Sequence, residues 1–202
     1  MAQDDNSVNM KKTKQSYHHG DLRAALIGEA LKLLEIRDLE PLSLREVARN
    51  AGVSATAVYR HFPSKESLLK ALAEHGLAML AEQQQRSAAK AHGAAAFAQT
   101  GRAYVRFALA NPNLFRLIFI HTPSRLRPDD ASPEGSPARL LRSYVARGLG
   151  PRASQEQIFV AALQAWSLAH GLSMLILDEQ VERKAAEAMI DRVISSGGLR
   201  SG

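Results

Sequence analysis

Polar side chains are concentrated in residues 52–69, which have the sequence GVSATAVYRHFPSKESLL. This stretch carries a hydroxyl at Tyr59, an imidazole at His61 and an ammonium at Lys65. Each of these groups can donate a hydrogen bond to a phosphate oxygen, and such contacts fix the position of a protein on DNA. The stretch contains no obvious catalytic pair, and what it does depends on how these side chains are oriented.

The sequence lacks the motifs of enzymes and metal sites. None of the seven histidines is four residues from another, which is the usual spacing of a helical metal pair. There is no cysteine, so thiolate metal sites and disulfides are excluded. Neither a glycine-rich phosphate loop nor a Gly-x-Ser-x-Gly motif is present. We therefore expect no metal, no cofactor and no enzymatic activity.

Composition indicates a globular protein of one or two small domains. The 202 residues are 46% hydrophobic and 23% charged. No uninterrupted apolar run approaches the roughly 20 residues that span a bilayer. The N-terminal residues MAQDDNSVNMKKTKQ are polar and lack the apolar core of a signal peptide. These features predict a cytoplasmic protein without a membrane segment.

The net charge of +6 suggests nucleic acid as a partner, but the charge is unevenly distributed. The basic excess lies mostly in residues 100–152, where nine arginines accompany three acidic residues. Lysine and arginine almost balance the acidic residues in 1–75. Total charge thus identifies no DNA-binding end, and the prediction must rest on geometry.

Apolar periodicity predicts an all-α protein of about nine helices. Residues 1–16 are predicted to be a flexible basic arm, and the first helix begins near Asp21 with an apolar stripe. The other helices are predicted at 43–50, 54–61, 65–86, 94–110, 112–120, 137–149, 155–178 and 182–195. Residues 121–137 are rich in proline and serine and are predicted to be a loop. No alternating apolar pattern indicates a strand.

Two short helices around a glycine predict a helix-turn-helix. Ser43 is a suitable N-cap, with Glu46 three residues later as in a capping box. Gly52 allows a sharp turn, and Ser54 caps the next helix. The apolar side chains expected to face inward are Val47, Ala48, Val53 and Val58. Those expected to point outward from the second helix are Ala55, Thr56, Tyr59 and Arg60.

A helix of this kind can enter the major groove of DNA with its N-terminal residues nearest the bases. The caps Ser43 and Ser54 and the free helical N–H groups suit phosphate oxygens. Short helical hairpins also occur in proteins that never bind DNA, in which Tyr59 would pack on the core and Lys65 would be solvated. Spacing alone does not decide between the two interpretations.

The sequence LREVARNAGVSATAVYRHFPSKESLL is similar to the DNA-binding domain of TetR-family transcriptional regulators, and YHHGDLRAALIGEALKLLE resembles that family's first helix. The resemblance implies a helix-turn-helix domain at 17–64 and an effector-binding and dimerisation domain at 65–202. It also implies a homodimeric repressor that leaves a palindromic operator when a small molecule binds. The alternative is a helical small-molecule binder or adaptor that does not bind an operator.

Carried over by position, the resemblance assigns Tyr59, His61 and Lys65 to phosphate contacts. It places Arg45, Ala55 and Thr56 where the family's helices approach bases. One departure is Ala57, which stands where threonine is common in the family, so a hydroxyl contact is lost. Arginine favours a bidentate contact with guanine, and a solvated surface charge is the other interpretation of Arg45.

The sequence LQAWSLAHGLSMLILDE at 163–179 resembles a subgroup of the family's C-terminal domains marked by a tryptophan and a His-Gly pair. Trp166 and His170 are four residues apart and share a helical face. They could lie at a subunit interface or line a ligand cavity, and both remain open. We expect dimerisation through the helices near 155–178 and 182–195.

Candidate cavity residues come from aromatic and aliphatic positions of the middle helices. They are Phe97, Tyr104, Phe107, Leu114, Phe115, Ile118 and Phe119. Aromatic residues at helical spacing are more often core than cavity, so a purely structural role is the alternative. Several arginines raise an anionic effector as a further possibility, and solvated helix faces explain them equally well: Arg102, Arg106, Arg116, Arg139 and Arg142. The sequence names no effector.

Overall fold

The computed structural model describes residues 22–36, 42–121, 126 and 132–196, and within them the chain is built from nine α-helices and no strand. The helices are α1 (Leu22–Ile36), α2 (Leu44–Asn50), α3 (Ala55–His61), α4 (Lys65–Ala88), α5 (Gly93–Ala110), α6 (Pro112–His121), α7 (Pro137–Leu149), α8 (Gln155–Leu177) and α9 (Arg183–Ser196). The all-helical prediction is confirmed, and the predicted helix ends differ by at most two residues. The predicted arm at 1–16, the predicted start at Asp21 and most of the predicted loop lie outside the described residues.

Serine caps define where the short helices begin. The side chain of Ser43 accepts a hydrogen bond from the Glu46 N–H at 3.2 Å, and Ser54 accepts one from the Ala57 N–H at 3.2 Å. Ser64 and Ser67 cap α4 reciprocally, each side chain accepting from the other's backbone N–H. These bonds satisfy N–H groups that a helix leaves without an internal partner, so the starts of α2, α3 and α4 are set locally.

The N-terminal core lies between α1, α2, α3 and the first turns of α4. Val47 and Val58 are fully buried, and Ala48 is nearly so, while Val53 packs against this core from a partly exposed position. Phe62 closes the end of α3 with almost no exposed surface. The four side chains predicted to face inward from the helix-turn-helix therefore do so.

Helix α5 is the centre of the C-terminal part and contacts α4, α6, α7, α8 and α9. Two glycines permit close approach of its neighbours. A Cβ added at Gly76 in α4 would lie 2.8 Å from Leu114 of α6, and one at Gly101 would lie 2.9 Å from Ile194 of α9. Because a real Cβ does not tolerate these distances, alanine at either position would require the side chain of Leu114 or Ile194 to shift.

Helix α8 is the most apolar long helix among the described residues. Its length and mean hydropathy, 1.5, would by themselves suffice to cross a membrane, as is also true of core helices in soluble proteins. It packs against α5, α7 and α9 in this fold. Only 22% of its most apolar window is buried within the single chain, so a broad apolar face of α8 remains exposed.

Candidate nucleic-acid interface and effector cavity

The turn between α2 and α3 is fixed by backbone hydrogen bonds. The N–H of Ala51 donates to the Val47 carbonyl at 2.9 Å, and the N–H of Val53 donates to the Ala48 carbonyl at 3.0 Å. Between them Gly52 has a φ of 69°, in the left-handed region that glycine adopts without steric cost. The turn thus sets the angle at which α3 leaves α2 and determines which side chains of α3 face solvent.

Most of the residues predicted to contact DNA lie on the surface of this region. Seven are exposed, namely Ser43, Arg45, Ser54, Ala55, Thr56, Tyr59 and Lys65. His61 is half-buried at the end of α3. Tyr59 exposes 45% of its surface, which is more than a tyrosine that packs on a core would show. The arrangement places most of these side chains at the protein surface.

Four of these residues line one open depression between the start of α2, the end of α3 and the start of α4. They are Ser43, Arg45, Tyr59 and Lys65, and the remaining wall is formed by Leu42, Leu44 and Ser64. The depression lies at the N-terminal ends of α2 and α4, where helix dipoles and free N–H groups attract anions. Ala55, Thr56 and His61 lie outside it. Ser64 also lines the depression but is not among the DNA-contacting residues predicted from the sequence. The signal is the same as for Ser43 and Ser54, because Ser64 also caps its helix.

Helix α6 connects the N-terminal helices with the C-terminal part. The side-chain amide of Asn113 donates to the Leu34 carbonyl of α1 at 3.1 Å. At the other end of α6, Nδ1 of His121 is 2.9 Å from a carboxylate oxygen of Glu66, in the first turn of α4. Together with the packing at Gly76, these contacts join α6 to both α1 and α4.

A cavity opens among α4, α5, α6, α7, α8 and α9, and its mouth is open to solvent. It is lined by Leu77, Leu80, Gln84, Phe97, Ala98, Thr100, Gly101, Tyr104, Phe119, Leu126, Pro137, Ala138, Leu141, Ala165, Trp166, Leu168, Ala169 and Ile194. Among the described residues, no charged side chain lines it. A mostly apolar wall with a few polar groups is typical of small-molecule sites.

The structure divides the predicted cavity residues into two groups. Phe97, Tyr104, Phe119 and Trp166 line the cavity. Phe107, Phe115 and His170 do not. Phe107 and Phe115 are directed into the core, where they are almost completely buried, and their aromatic spacing reflects that packing. Leu114 and Ile118 are likewise core residues. Trp166 is part of the cavity wall.

A chain of hydrogen bonds links Trp166, Tyr104 and His170. The indole N–H of Trp166 donates to the Tyr104 hydroxyl at 3.1 Å, and that oxygen lies 2.9 Å from Nδ1 of His170. Burial lowers the pKa of His170 and thus favours the neutral imidazole. Burial also raises the pKa of Tyr104, partly offset by the Trp166 hydrogen bond, and thus favours the protonated phenol. The Tyr104 hydroxyl and Nδ1 of His170 share a hydrogen bond whose donor is set by the tautomer of the imidazole.

The aromatic rings behind the cavity form one packed cluster. The ring centroids of Phe119 and His170 are 4.7 Å apart, those of Phe115 and Phe119 5.0 Å, and those of Tyr104 and Phe115 5.4 Å. Most of these pairs meet edge to face, the geometry that aromatic quadrupoles prefer. Because Phe119 belongs to α6, the cluster connects the cavity wall directly to the helix that contacts α1 and α4.

The arginines considered for an anionic effector do not line the cavity. Arg102 pairs with Asp191 at 2.8 Å, and Arg106 reaches the same carboxylate at 3.5 Å. Arg116 pairs with Asp178 and also donates to a backbone carbonyl of α8. Arg139 lies near Glu134, and the buried Arg142 donates to Gln155. Their positions favour the structural interpretation over an anion site in the cavity.

Two family models match separate parts of the chain. Residues 26–72 match the model for bacterial regulatory proteins of the tetR family, and residues 97–196 match a tetracyclin repressor-like C-terminal domain. The chain therefore belongs to the TetR family of transcriptional regulators. This is a family of DNA-binding regulators and not of enzymes.

Solved structures share this fold. A protein of unknown function from Rhodococcus sp. RHA1 is 31% identical, with a TM-score of 0.67, and the match covers 91% of this chain and 94% of that one. A tetR-family transcriptional regulator from Streptomyces coelicolor is 21% identical over 90% of this chain and 82% of its own, with a TM-score of 0.59. A TetR variant from Acinetobacter baumannii AYE, solved in complex with minocycline, is also 21% identical, over 90% and 94%, with a TM-score of 0.62.

Proposed function

We propose that the protein is a homodimeric, ligand-responsive repressor that acts in the cytoplasm. It binds a palindromic operator through the helix-turn-helix, and a small molecule in the C-terminal cavity releases it. The observation that carries the proposal is the convergence of Ser43, Arg45, Tyr59 and Lys65 on one open depression at two helix N-termini. No cofactor or metal is required for this function.

The proposed DNA contacts fall into two classes. Tyr59, His61 and Lys65, with the caps Ser43 and Ser54, bind phosphates and position the protein. Arg45, Ala55 and Thr56 meet base edges in the major groove, where an arginine can contact guanine and a small side chain can contact the thymine methyl. The exposure of these side chains and the rigid turn at Gly52 support this division.

The proposed dimer forms through α8 and α9. Large apolar side chains are exposed on both helices, with Val160, Leu163 and Leu175 on α8 and Met189 on α9 exposing 42–51% of their surface. The small residues Ser167 and Gly171 lie between them on α8 and allow close approach of a second helix. A second copy would cover this apolar face, and a twofold dimer would present two recognition helices to the two half-sites of an operator.

The proposed response runs through α6. Phe119 lines the cavity, whereas Asn113 and His121 of the same helix contact α1 and α4. A ligand that displaces Phe119 would shift α6, and the tight packing of Leu114 on Gly76 would transmit that shift to α4. Such a ligand acts only if it binds the shifted arrangement more tightly than the DNA-binding one.

A mobility-shift assay with the DNA upstream of the protein's own coding region tests the proposal. We expect a specific complex whose affinity falls steeply with salt, because bound phosphates release counterions. Lys65→Ala should weaken binding to all sequences and reduce the magnitude of the salt slope by about one. Lys90→Ala is the matched control, since Lys90 is also an exposed lysine but lies beyond the far end of α4.

An adaptor without operator binding would give no specific complex at any salt concentration. An unchanged salt slope in Lys65→Ala would remove that residue from the phosphate contacts. Sedimentation of the free protein tests the dimer separately. A monomer at the concentrations that shift DNA would contradict the proposed interface.

A further inference from the structure

Gln84 is a polar residue buried in the wall of the cavity. It lies on α4 with 6% of its surface exposed. Its side-chain N–H donates to the Thr100 carbonyl of α5 at 3.2 Å, which fixes the orientation of the amide, because the opposite orientation would place two oxygens together. The carbonyl oxygen Oε1 is consequently left buried without a hydrogen-bond partner. An unsatisfied buried acceptor costs about 1–3 kcal/mol, so its presence at a cavity requires an explanation.

Thr100 adds a second acceptor to the wall. Its hydroxyl donates its proton to the Phe97 carbonyl at 2.7 Å, so the oxygen has no proton left for a ligand and retains its lone pairs. The hydroxyl of Tyr104 is hydrogen-bonded to His170 and accepts from Trp166. The cavity therefore offers hydrogen-bond acceptors on an apolar wall.

Charge further restricts what can bind. An anion would meet these acceptors without a cation to balance it, since no arginine or lysine is found among the described lining residues. An ammonium group would donate to the acceptors, but the same wall supplies no carboxylate, and burying an unpaired charge is strongly unfavourable. A neutral donor, such as a hydroxyl or an amide N–H, satisfies Gln84 without this cost.

We propose that the effector of this protein is an uncharged, largely apolar molecule that donates a hydrogen bond, from a hydroxyl or amide group, to Oε1 of Gln84. This inference rests on the proposed function for its consequence at the operator. The binding preference itself is a property of the cavity and can be measured without DNA.

Four probes with one apolar ring separate the possibilities. Cyclooctanol carries a neutral donor, methoxycyclooctane lacks the donor, cyclooctanecarboxylate is an anion, and cyclooctylammonium is a cation. Trp166 is the single tryptophan of the chain and lines the cavity, so its fluorescence reports occupancy. We expect the alcohol to bind about five- to tenfold more tightly than the ether, as one neutral hydrogen bond in a buried site predicts. The two ions should bind more weakly than the alcohol.

A matched pair of variants tests the role of Gln84. Gln84→Met keeps the length of the side chain but removes the acceptor, so the alcohol and the ether should bind with equal affinity. Gln85→Met makes the same substitution at the exposed neighbouring position of α4 and should retain the preference. If Gln84→Met does not fold, the comparison of alcohol and ether in the wild-type protein still decides the matter.

Equal affinity of the wild-type protein for alcohol and ether would overturn the inference, as would tighter binding of either ion or no binding of any probe. A preference for the alcohol that survives in Gln84→Met would overturn it as well. A different result would contradict the proposed function. Alcohol binding that depends on Gln84, in a protein that forms no operator complex, would support the cavity chemistry and contradict the repressor.

Discussion

The helix-turn-helix and the cavity place their functional side chains in opposite ways. The residues of the proposed DNA-binding surface all come from positions 43–65, and local caps and one glycine turn hold them at the surface. The cavity collects its wall from six helices between residues 77 and 194, with Tyr104 bonded to a residue 66 positions away. One site is a local structure exposed to solvent, and the other is a product of tertiary packing.

This difference predicts different effects of mutation. Exposed side chains that contact DNA can be replaced with little loss of stability. Surface substitutions usually change the free energy of unfolding by less than about 0.5 kcal/mol. Cavity residues are adjacent to the core, so most changes there alter folding and binding together. The following predictions test whether the two regions differ in this way.

The largest effect is expected for Phe115→Ala. Phe115 is completely buried and contacts the rings of Tyr104, Phe119 and His170. Its loss should lower the free energy of unfolding by about 3–5 kcal/mol, measured by urea denaturation. Ile120→Ala on the same helix is the control, because that side chain is mostly exposed. A small change in the free energy of unfolding would indicate that Phe115 lines the cavity and is not a core residue.

Arg45→Ala should show the reverse pattern. We expect the free energy of unfolding to stay within about 0.5 kcal/mol of the wild type, because Arg45 is exposed on α2. The binding free energy for the operator should weaken by about 1–3 kcal/mol. The loss should appear only in operators that keep the base pair contacted by Arg45, and operators in which that pair is replaced should bind both proteins equally. Binding assays with a set of single-base operator variants measure this. Uniform weakening across the set would make Arg45 a phosphate contact instead.

Gly52→Ala tests whether the turn between α2 and α3 requires glycine. A Cβ at a φ of 69° should cost about 1–2 kcal/mol of stability, although the space around this glycine is open. Gly28→Ala in α1 is the control, since the position is helical and equally open, and alanine there should stabilise by about 0.5–1 kcal/mol. Similar changes in thermal denaturation for both variants would show that the turn is not strained by a side chain.

The smallest effect is a dependence of stability on pH that is due to His170. Burial lowers its pKa in the folded protein below the usual 6.5. Between the folded and unfolded values the unfolded chain binds more protons, so stability falls as the pH is lowered from about 6.5, by at most about 1.4 kcal/mol per pH unit. The difference in melting temperature between wild type and His170→Gln, followed from pH 7.5 to 5, isolates this term. A difference that does not change with pH would indicate that His170 titrates normally.

The same contrast explains what the sequence could predict. Ser43, Ser54 and Gly52 act through neighbours within a few residues, so their roles follow from spacing. The alternating burial of Val47, Ala48 and Val58 follows from helical periodicity in the same way. The sequence alone therefore predicts these features.

The cavity could be predicted only in part. Phe107 and Phe119 are both aromatic residues of apolar helices, and only the packing of α4, α6 and α8 places one in the core and the other at the cavity. Gln84 lies in the polar sequence AEQQQRS, where nothing local distinguishes it from the exposed Gln85. Its burial results from the approach of α5, a contact between segments that local patterns do not describe.

Nuclease footprinting of the purified protein on the DNA upstream of its coding region tests the central claim most directly. The exposed face built on α2, α3 and the start of α4 predicts protection of two half-sites related by twofold symmetry, with centres one helical turn or a multiple of it apart. Loss of that protection in Lys65→Ala, but not in Lys90→Ala, would assign it to this face. Absence of any protected site would contradict the account.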